Sequence, residues 1–556
     1  MSDSPPSTPI DLEDTRSSAA LRAEEVASAG SGFVLITGAK LWFLVSATIL
    51  NLGLPRFLGD AAQFGDFGTI NSLISILNMV LVTGSLQAVS KRVSERPELS
   101  ALIRRKAIRI QTLLGGALFV VLIVGADVIC GDLLRDQTLA PYLRIAAVVT
   151  LSYAFYASFI GVLNGLRAFA NQAMFDIVFA TLKVTLIVGL VLAGFGVMGA
   201  FAGFAIAALL VTIGAFWVTR NKVASMPSVA SPPEIRLVGF MVQAMAFVFA
   251  MNVLIQGDVV VLKRAAFEAI QSVLSSEGSA PWVEEAVRGN ALESDPTRAL
   301  TAALVGLYRA AKNVSLLPYQ GVIALTFVIF PLLSRATFET DQESTRLYVR
   351  HALRLAWVIV AAVATVIAAG GEGLAVVLFG QGYELAGGTL LPMVIGMSCL
   401  AMMYLVGTVL IAAARPLDAV AVTALVAFSQ MVLLYVVVSE VQDGQAASKT
   451  SYLVAILTRA AWTSAAAGLL GLLLAAWRLR VRVNVPLPMA SLLRGSIAAV
   501  VALVAVSELP EIGLWWVFVR ALVAGVIFLG VLVLTREITR DDWVVVRNTL
   551  SRRKVS

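Results

Sequence analysis

Arg309, Lys312 and Asn313 stand at i, i+3 and i+4 of one apolar stretch, so on a helix they share a face. Two of them are cations, and a charge at the centre of a membrane helix costs roughly 2.5 to 3.5 kcal/mol on insertion scales. Charges kept at that cost face a wet cavity or a partner. A cavity with low-dielectric walls and such groups would attract phosphate, because charge-assisted contacts to phosphate are strong and the walls focus the field. Lys183, near the middle of a second apolar stretch, and Lys40, in the inner third of another, join this candidate substrate-binding set. Arg459 and Arg520 are about as deep as Arg309 but stand alone.

The competing reading is pairing. Lys183 has Asp176 seven residues back on the same helix face, and Arg309 could take Asp258. Asp258 shares its stretch with the polar Asn252 and Gln256, which makes it the candidate group for proton or sodium coupling. A salt bridge to Arg309 or Lys263 is its structural alternative.

Other chemistry is sparse. Cys130, Cys399 and His351 are too few for a zinc site or a disulfide framework. No GxxxxGK[ST] loop is present, so no ATP hydrolysis is expected. Asp60 and Asp66 lack the spacing of a catalytic DxD pair. No catalytic residue, metal or cofactor is expected, and a net charge of +7 reads as loops beside an anionic leaflet rather than as nucleic-acid binding.

The elements that must position these residues are membrane helices. Of 556 residues, 59% are hydrophobic and 14% charged, with a mean hydropathy of +0.87, which excludes a soluble globular chain. A hydrocarbon core of about 30 Å needs roughly 20 apolar residues per helix. Apolar windows give fourteen spans: 33–57, 67–89, 110–130, 142–164, 172–194, 197–218, 238–262, 302–333, 352–380, 387–413, 417–438, 452–476, 487–507 and 512–535. Most of the 42 lysines and arginines fall in the two tails and in alternate loops, which puts both termini in the cytoplasm. Residues 1–31, rich in Ser, Pro, Ala and acidic residues, read as a disordered tail without a cleaved signal peptide. Residues 537–556 form a basic tail. A long acidic external loop, 265–300, has room for a short amphipathic helix near Trp282–Val287.

The spans repeat. Phe64-Gly65-Asp66-Phe67-Gly68 with Asn71-Ser72-Leu73 matches Val305-Gly306-Leu307-Tyr308-Arg309 with Asn313-Val314-Ser315-Leu316, the glycines lying 241 residues apart. The turn Gly165-Leu166-Arg167 likewise matches Ala413-Ala414-Arg415. The expected fold is therefore all-α and polytopic. A six-helix bundle at 32–220 is followed by a parallel one at 221–478, then by two further helices at 479–536. Two such bundles with a site between them form a transporter architecture.

The stretch from Val305 to Pro318, continuing through Phe330-Pro331 to Arg335, resembles the eighth helix of the Wzx polysaccharide flippases. Leu378-Phe-Gly380-Gln-Gly-Tyr383, Gln256-Gly-Asp258 through Lys263, and Gly194-Phe-Gly-Val-Met-Gly199 also look like that family's patterns. The resemblance covers nearly all of residues 32–535 and extends to the superfamily of MurJ-type lipid II flippases and MATE drug exporters. It implies alternating access that carries a polyprenyl-diphosphate-linked glycan from the inner to the outer leaflet of a bacterial plasma membrane. The implied partners are the lipid substrate, the bilayer and a polysaccharide polymerase or synthase. A lipid II flippase, a cation-coupled exporter of small molecules and a membrane scaffold are the alternatives. The loop at 265–300 departs from the compact family pattern.

Overall fold

The computed structural model describes residues 12–224, 238–275, 295–323, 342–413, 415–441, 448–510 and 513–537. Among these residues all regular structure is helical, and the long helices are α1 (Leu12–Leu58), α2 (Ala61–Glu95), α3 (Ser100–Val124), α4 (Ala140–Gly165), α5 (Phe169–Leu190), α6 (Gly196–Ala224) and α7 (Val238–Leu274). They continue as α8 (Pro296–Ser315), α9 (Gln342–Phe379), α10 (Leu390–Ala412), α11 (Pro416–Ser439), α12 (Lys449–Val483), α13 (Met489–Val506) and α14 (Leu514–Leu534).

Local sequence explains several helix boundaries. Asp60 caps α2 by accepting from the Ala62 N–H at 3.0 Å. Asp295 caps α8 by accepting from the Arg298 N–H at 3.1 Å, and Pro296 fills the first turn where no N–H is needed. Ser448 and Ser451 form a reciprocal capping box on α12. The stretch from Phe169 to Ala224 breaks into α5 and α6 at Gly194 (φ 90°) and Gly196 (φ 52°), left-handed positions that suit glycine.

Twelve segments among the described residues have the length and apolarity of a membrane span. The difference from the fourteen expected has two causes. Phe169–Ala224 counts once despite its break, and α8 is too polar to count, because Arg298, Arg309 and Lys312 lie within its 20 residues. Helix α1 begins inside the segment that composition assigns to a disordered tail. The expected loop at 265–300 is helical at both ends: α7 runs on to Leu274, and Asp295 already caps α8. Trp282–Val287, residues 324–341 and the basic tail beyond 537 lie outside the described residues.

Helix packing repeats as the sequence register does. Helices α1 and α5 pair as do α7 and α11, α4 and α6 as do α10 and α12, and α3 and α4 as do α9 and α10. Helices α13 and α14 pack on α9 through a cluster including Ala361, Ala498, Ala524 and Phe528. Just past α14, the buried Glu537 carboxylate accepts from Arg354 (2.7 Å) and Arg494 (3.0 Å), tying this end to α9 and α13.

The apolar core is continuous at one end and divided at the other. One cluster runs across both bundles and includes Phe64, Phe201, Tyr308, Met393 and Tyr452. Toward the opposite end each bundle keeps its own, around Val93 and Ile103 in the first and Leu353 and Met402 in the second. The bundles thus share one large core at the end that the charge bias puts outside, while at the other α7 still meets α2, with Met245 packed against Gly84.

Candidate functional site

Helices α2 and α8 cross where Gly65 meets Ala302 and Gly306 meets Ala61; a Cβ on either glycine would lie 1.9 Å from the opposing alanine's carbonyl oxygen. One turn further, a Cβ on Gly68 would lie 2.3 Å from Arg309 Cδ, so this glycine makes room for the Arg309 side chain. The repeat-related glycines therefore bring the two bundles into backbone contact.

On the shared-core side of this crossing lies a four-charge cluster. Lys263 Nζ on α7 is 2.9 Å from Asp136 and 3.6 Å from Asp66 on α2. Arg298 at the start of α8 is 3.0 Å from each of the same carboxylates. Both carboxylates belong to the first bundle and both cations to the second, so the cluster clasps them together. Burial alone would raise the Asp136 carboxyl, but the Lys263 ammonium, the Thr138 and Lys263 hydrogen bonds and Arg298 together hold it below the ordinary carboxylate value.

On the other side of the crossing a cavity of about 420 Å³ opens between the bundles. Its walls come from α1, α2, α4, α5 and α6 of the first bundle and from α7 and α8 of the second. Aromatic residues such as Phe43, Phe67 and Phe204 make the apolar surface, and Lys183, Arg309, Lys312 and Asn313 make the polar end. No carboxylate is among its described lining residues.

Each cation is held differently. The Arg309 guanidinium, 5% exposed, donates to the Gly68 carbonyl at 3.2 Å and to Ser72 Oγ, while its buried Nε has no partner among the described residues. The Ser72 hydroxyl in turn donates to Gln256 Oε1 at 3.2 Å, linking α8, α2 and α7. Lys183 has no carboxylate partner among the described residues, and its ammonium sits 3.9 Å from the Phe204 ring centroid. Lys312 donates to Asp258 and to the Ile255 carbonyl. Asn313 donates to the Asn51 carbonyl at 3.0 Å, joining α8 to α1.

The structure thus gathers Lys183, Arg309, Lys312 and Asn313 on one cavity and leaves two expected site residues off its wall. Lys40 pairs with Asp176 at 2.8 Å and is half-exposed, because α1 packs on α5 at the level of Asp176. The expected Lys183–Asp176 pair is therefore not made. Asp258 lies behind Lys312, fully buried, and accepts from Tyr308 Oη at 2.9 Å; that hydroxyl also meets Ser464 Oγ at 3.1 Å. Its ion-pair partner is Lys312 rather than Arg309 or Lys263, because Arg309 turns toward Gly68 and Lys263 reaches Asp136. Arg520, set apart in the sequence, donates to the Ala369 and Leu509 carbonyls, tying α14 to α9.

Two features escaped sequence reasoning. The clasp did, because Asp136 sits in a turn whose distance from Lys263 only the packed bundles define. The neutral polar groups of the cavity did as well, although Asn71, Ser75 and Asn78 on α2 follow an i, i+4, i+7 pattern.

A family model described as "Polysaccharide biosynthesis protein" matches residues 32–337. Among solved structures, the fold is similar to that of the lipid II flippase MurJ in an inward closed conformation, with a TM-score of 0.67 and 12% identity over 91% of this chain and 99% of that one. It is also similar to an inward-facing multidrug resistance MATE family transporter of the MOP superfamily, with a TM-score of 0.60 and 13% identity over 80% of this chain and 99% of the other. An outward-facing structure of that family gives a TM-score of 0.53 at 14% identity, covering 82% and 96%. The search of curated proteins returned no match.

Proposed function

The chain belongs to the polysaccharide biosynthesis protein family, and from that premise we propose that it flips a polyprenyl-diphosphate-linked oligosaccharide or polysaccharide precursor across a bacterial plasma membrane by alternating access. The observation that carries this reading is the convergence of Lys183, Arg309 and Lys312 on one interbundle cavity with no carboxylate in its described wall. Among the described residues Arg309 is held by neutral groups, so its guanidinium meets the cavity without a carboxylate partner of its own. A diphosphate offers oxygens to several donors at once, and the surrounding low dielectric strengthens each contact.

The state of the cavity fits a loading conformation. The clasp and the glycine crossing hold the bundles together at the end that the charge bias puts outside, and the cavity lies on the other side of them. Parting of the clasp and closure of the cytoplasmic side would then present the headgroup to the outer leaflet. The protein acts as a secondary transporter, not an enzyme, and its product passes to a polymerase or synthase. Asp258 is the candidate for proton or sodium coupling, since the Lys312 ammonium that pairs with it also lines the cavity. An exporter of cationic drugs would place acidic groups in the cavity, the opposite of what lines this one. Lipid II shares the diphosphate chemistry, and the family match favours a polysaccharide precursor over it.

The test is translocation of a fluorescent undecaprenyl-diphosphate oligosaccharide in liposomes. The wild type moves it, and Arg309→Ala at equal folded abundance loses at least tenfold, as expected for about 1.5 to 3 kcal/mol from a charge-assisted contact. A wild type that moves no such lipid but exports a small cation overturns the reading.

A further inference from the structure

The cavity's two helical walls descend from the same repeat but differ in chemistry. On the 241-residue register, Arg309 corresponds to Gly68, Lys312 to Asn71, Leu316 to Ser75 and Tyr319 to Asn78. The α8 wall presents cations and the α2 wall presents neutral hydrogen-bonding groups. A ligand that satisfies both must carry charge on one side and uncharged polar groups on the other.

Asn71, Ser75 and Asn78 run down one stripe of α2 over roughly 10 Å of helix axis, each about one turn further from Arg309. Among the described residues none of their side chains makes a hydrogen bond. Asn78 is only 7% exposed, lines the cavity and leaves its Oδ1 buried without a partner. An amide held in that condition inside an apolar bundle is poorly accounted for by packing, since an apolar residue of the same shape would avoid the desolvation. Asn51 lines the opposite wall, on α1, and its side chain is also unbonded among the described residues.

Resting on the diphosphate reading of the cationic end, we propose that this polar stripe is a sugar subsite: Asn71, Ser75 and Asn78 hydrogen-bond the hydroxyl and acetamido groups of the neutral sugar attached to the diphosphate. Amides and a hydroxyl both donate and accept, so they match the mixed donors and acceptors of a hydroxylated ring. Without a carboxylate among the described lining, the subsite offers no counter-charge to a free amino sugar. At about 420 Å³ the cavity has room for the headgroup next to the lipid and not for a long glycan, which would extend beyond it. Selectivity then resides in the first sugar.

The test is binding of two short probes to the full chain in detergent: farnesyl diphosphate, and the same lipid bearing N-acetylglucosamine on its diphosphate. The wild type binds the glycosylated probe at least about tenfold more tightly than the bare one. Asn71→Leu and Asn78→Leu each weaken the glycosylated probe about three- to tenfold and leave the bare diphosphate unchanged. Asn71→Ala, at a half-buried position, serves if Asn78→Leu does not fold. Equal affinity of the wild type for both probes, or variants that weaken both alike, overturns the sugar subsite. Arg309→Ala that weakens neither probe overturns the diphosphate reading instead, so the two failures are distinct.

Discussion

Gly65 and Gly306 lie 241 residues apart in the sequence and against each other in the structure, where each removes a side chain that would otherwise collide with the partner helix. A Cβ on Gly65 meets the carbonyl oxygen of Ala302, and one on Gly306 meets that of Ala61, both at 1.9 Å. The contact is its own mirror under exchange of the two bundles, as expected for repeats related by an axis between them. Backbone carbonyls cannot swing aside as a flexible side chain can, so the close crossing of α2 and α8 depends on these two positions.

Gly65→Ala and Gly306→Ala should therefore hold the bundles apart at the outer end. Overpacking of this kind typically costs about 1 to 3 kcal/mol. Charged against the closed state alone, that shifts the conformational balance roughly five- to 150-fold toward outward opening. Labelling of a cysteine introduced at Ala302 with a membrane-impermeant reagent should speed up in Gly65→Ala, while transport falls. Unchanged labelling with full transport would mean that the crossing relaxes without consequence.

Much of this arrangement was legible in the sequence. The apolar runs, the glycine register and the shared face of Arg309, Lys312 and Asn313 all follow from spacing along one chain. Partner choice did not, because it depends on how helices rotate against one another. Seven-residue spacing offers Asp176 to Lys183, yet α1 brings Lys40 to it; Arg309 and Lys312 are one turn apart, and only the helix rotation turns Lys312 to Asp258. Hydropathy windows also end α7 too early, since Arg264 and Glu268 carry charge on a helix that continues to Leu274. They bond each other at 3.0 Å, and Tyr435 donates to Glu268 at 2.7 Å.

The clasp makes a prediction in pH. The Asp136 carboxyl is held below its ordinary value, so its contribution is complete at and above the unfolded value near 3.8 and is lost only as pH falls through the lower folded one. Outer-end accessibility should stay flat between pH 5 and 8 as far as Asp136 governs it. Asp136→Asn should open that end at neutral pH by leaving Lys263, 0% exposed, with Asp66 alone at 3.6 Å, a loss smaller than the roughly 3 to 5 kcal/mol of a fully broken buried pair. Distances between spin labels on the outer ends of α2 and α8 would report it. Exchanging the charges, Asp136→Lys with Lys263→Asp, should restore part of the closure.

Lys312 and Asp258 should separate stability from transport. Removing one partner strands a buried charge, so Lys312→Met and Asp258→Asn should each lower folded abundance, again by about 3 to 5 kcal/mol. The double variant leaves no such charge and should recover most of the stability. Transport should not return with it, because the cavity still lacks the Lys312 ammonium. Full transport by a stable double variant would assign the pair to architecture alone.

Lys183 and Lys40 make the sharpest contrast, since sequence reasoning treated them alike and the structure does not. Lys183 lines the cavity over the Phe204 ring, a contact worth roughly 0.5 to 2 kcal/mol, so Lys183→Met should fold nearly normally while transport falls at least about tenfold for want of a phosphate contact. Lys40 is 41% exposed at its side chain and spends its charge on Asp176 away from the cavity wall. Its partner Asp176 is buried, 8% exposed at its side chain, so Lys40→Met should lower the melting temperature by stranding that carboxylate and change transport per folded molecule by less than about twofold. Measuring both variants in one liposome assay tests the boundary of the site: equal losses would extend it to α1 at Lys40, and equal indifference would remove Lys183 from it.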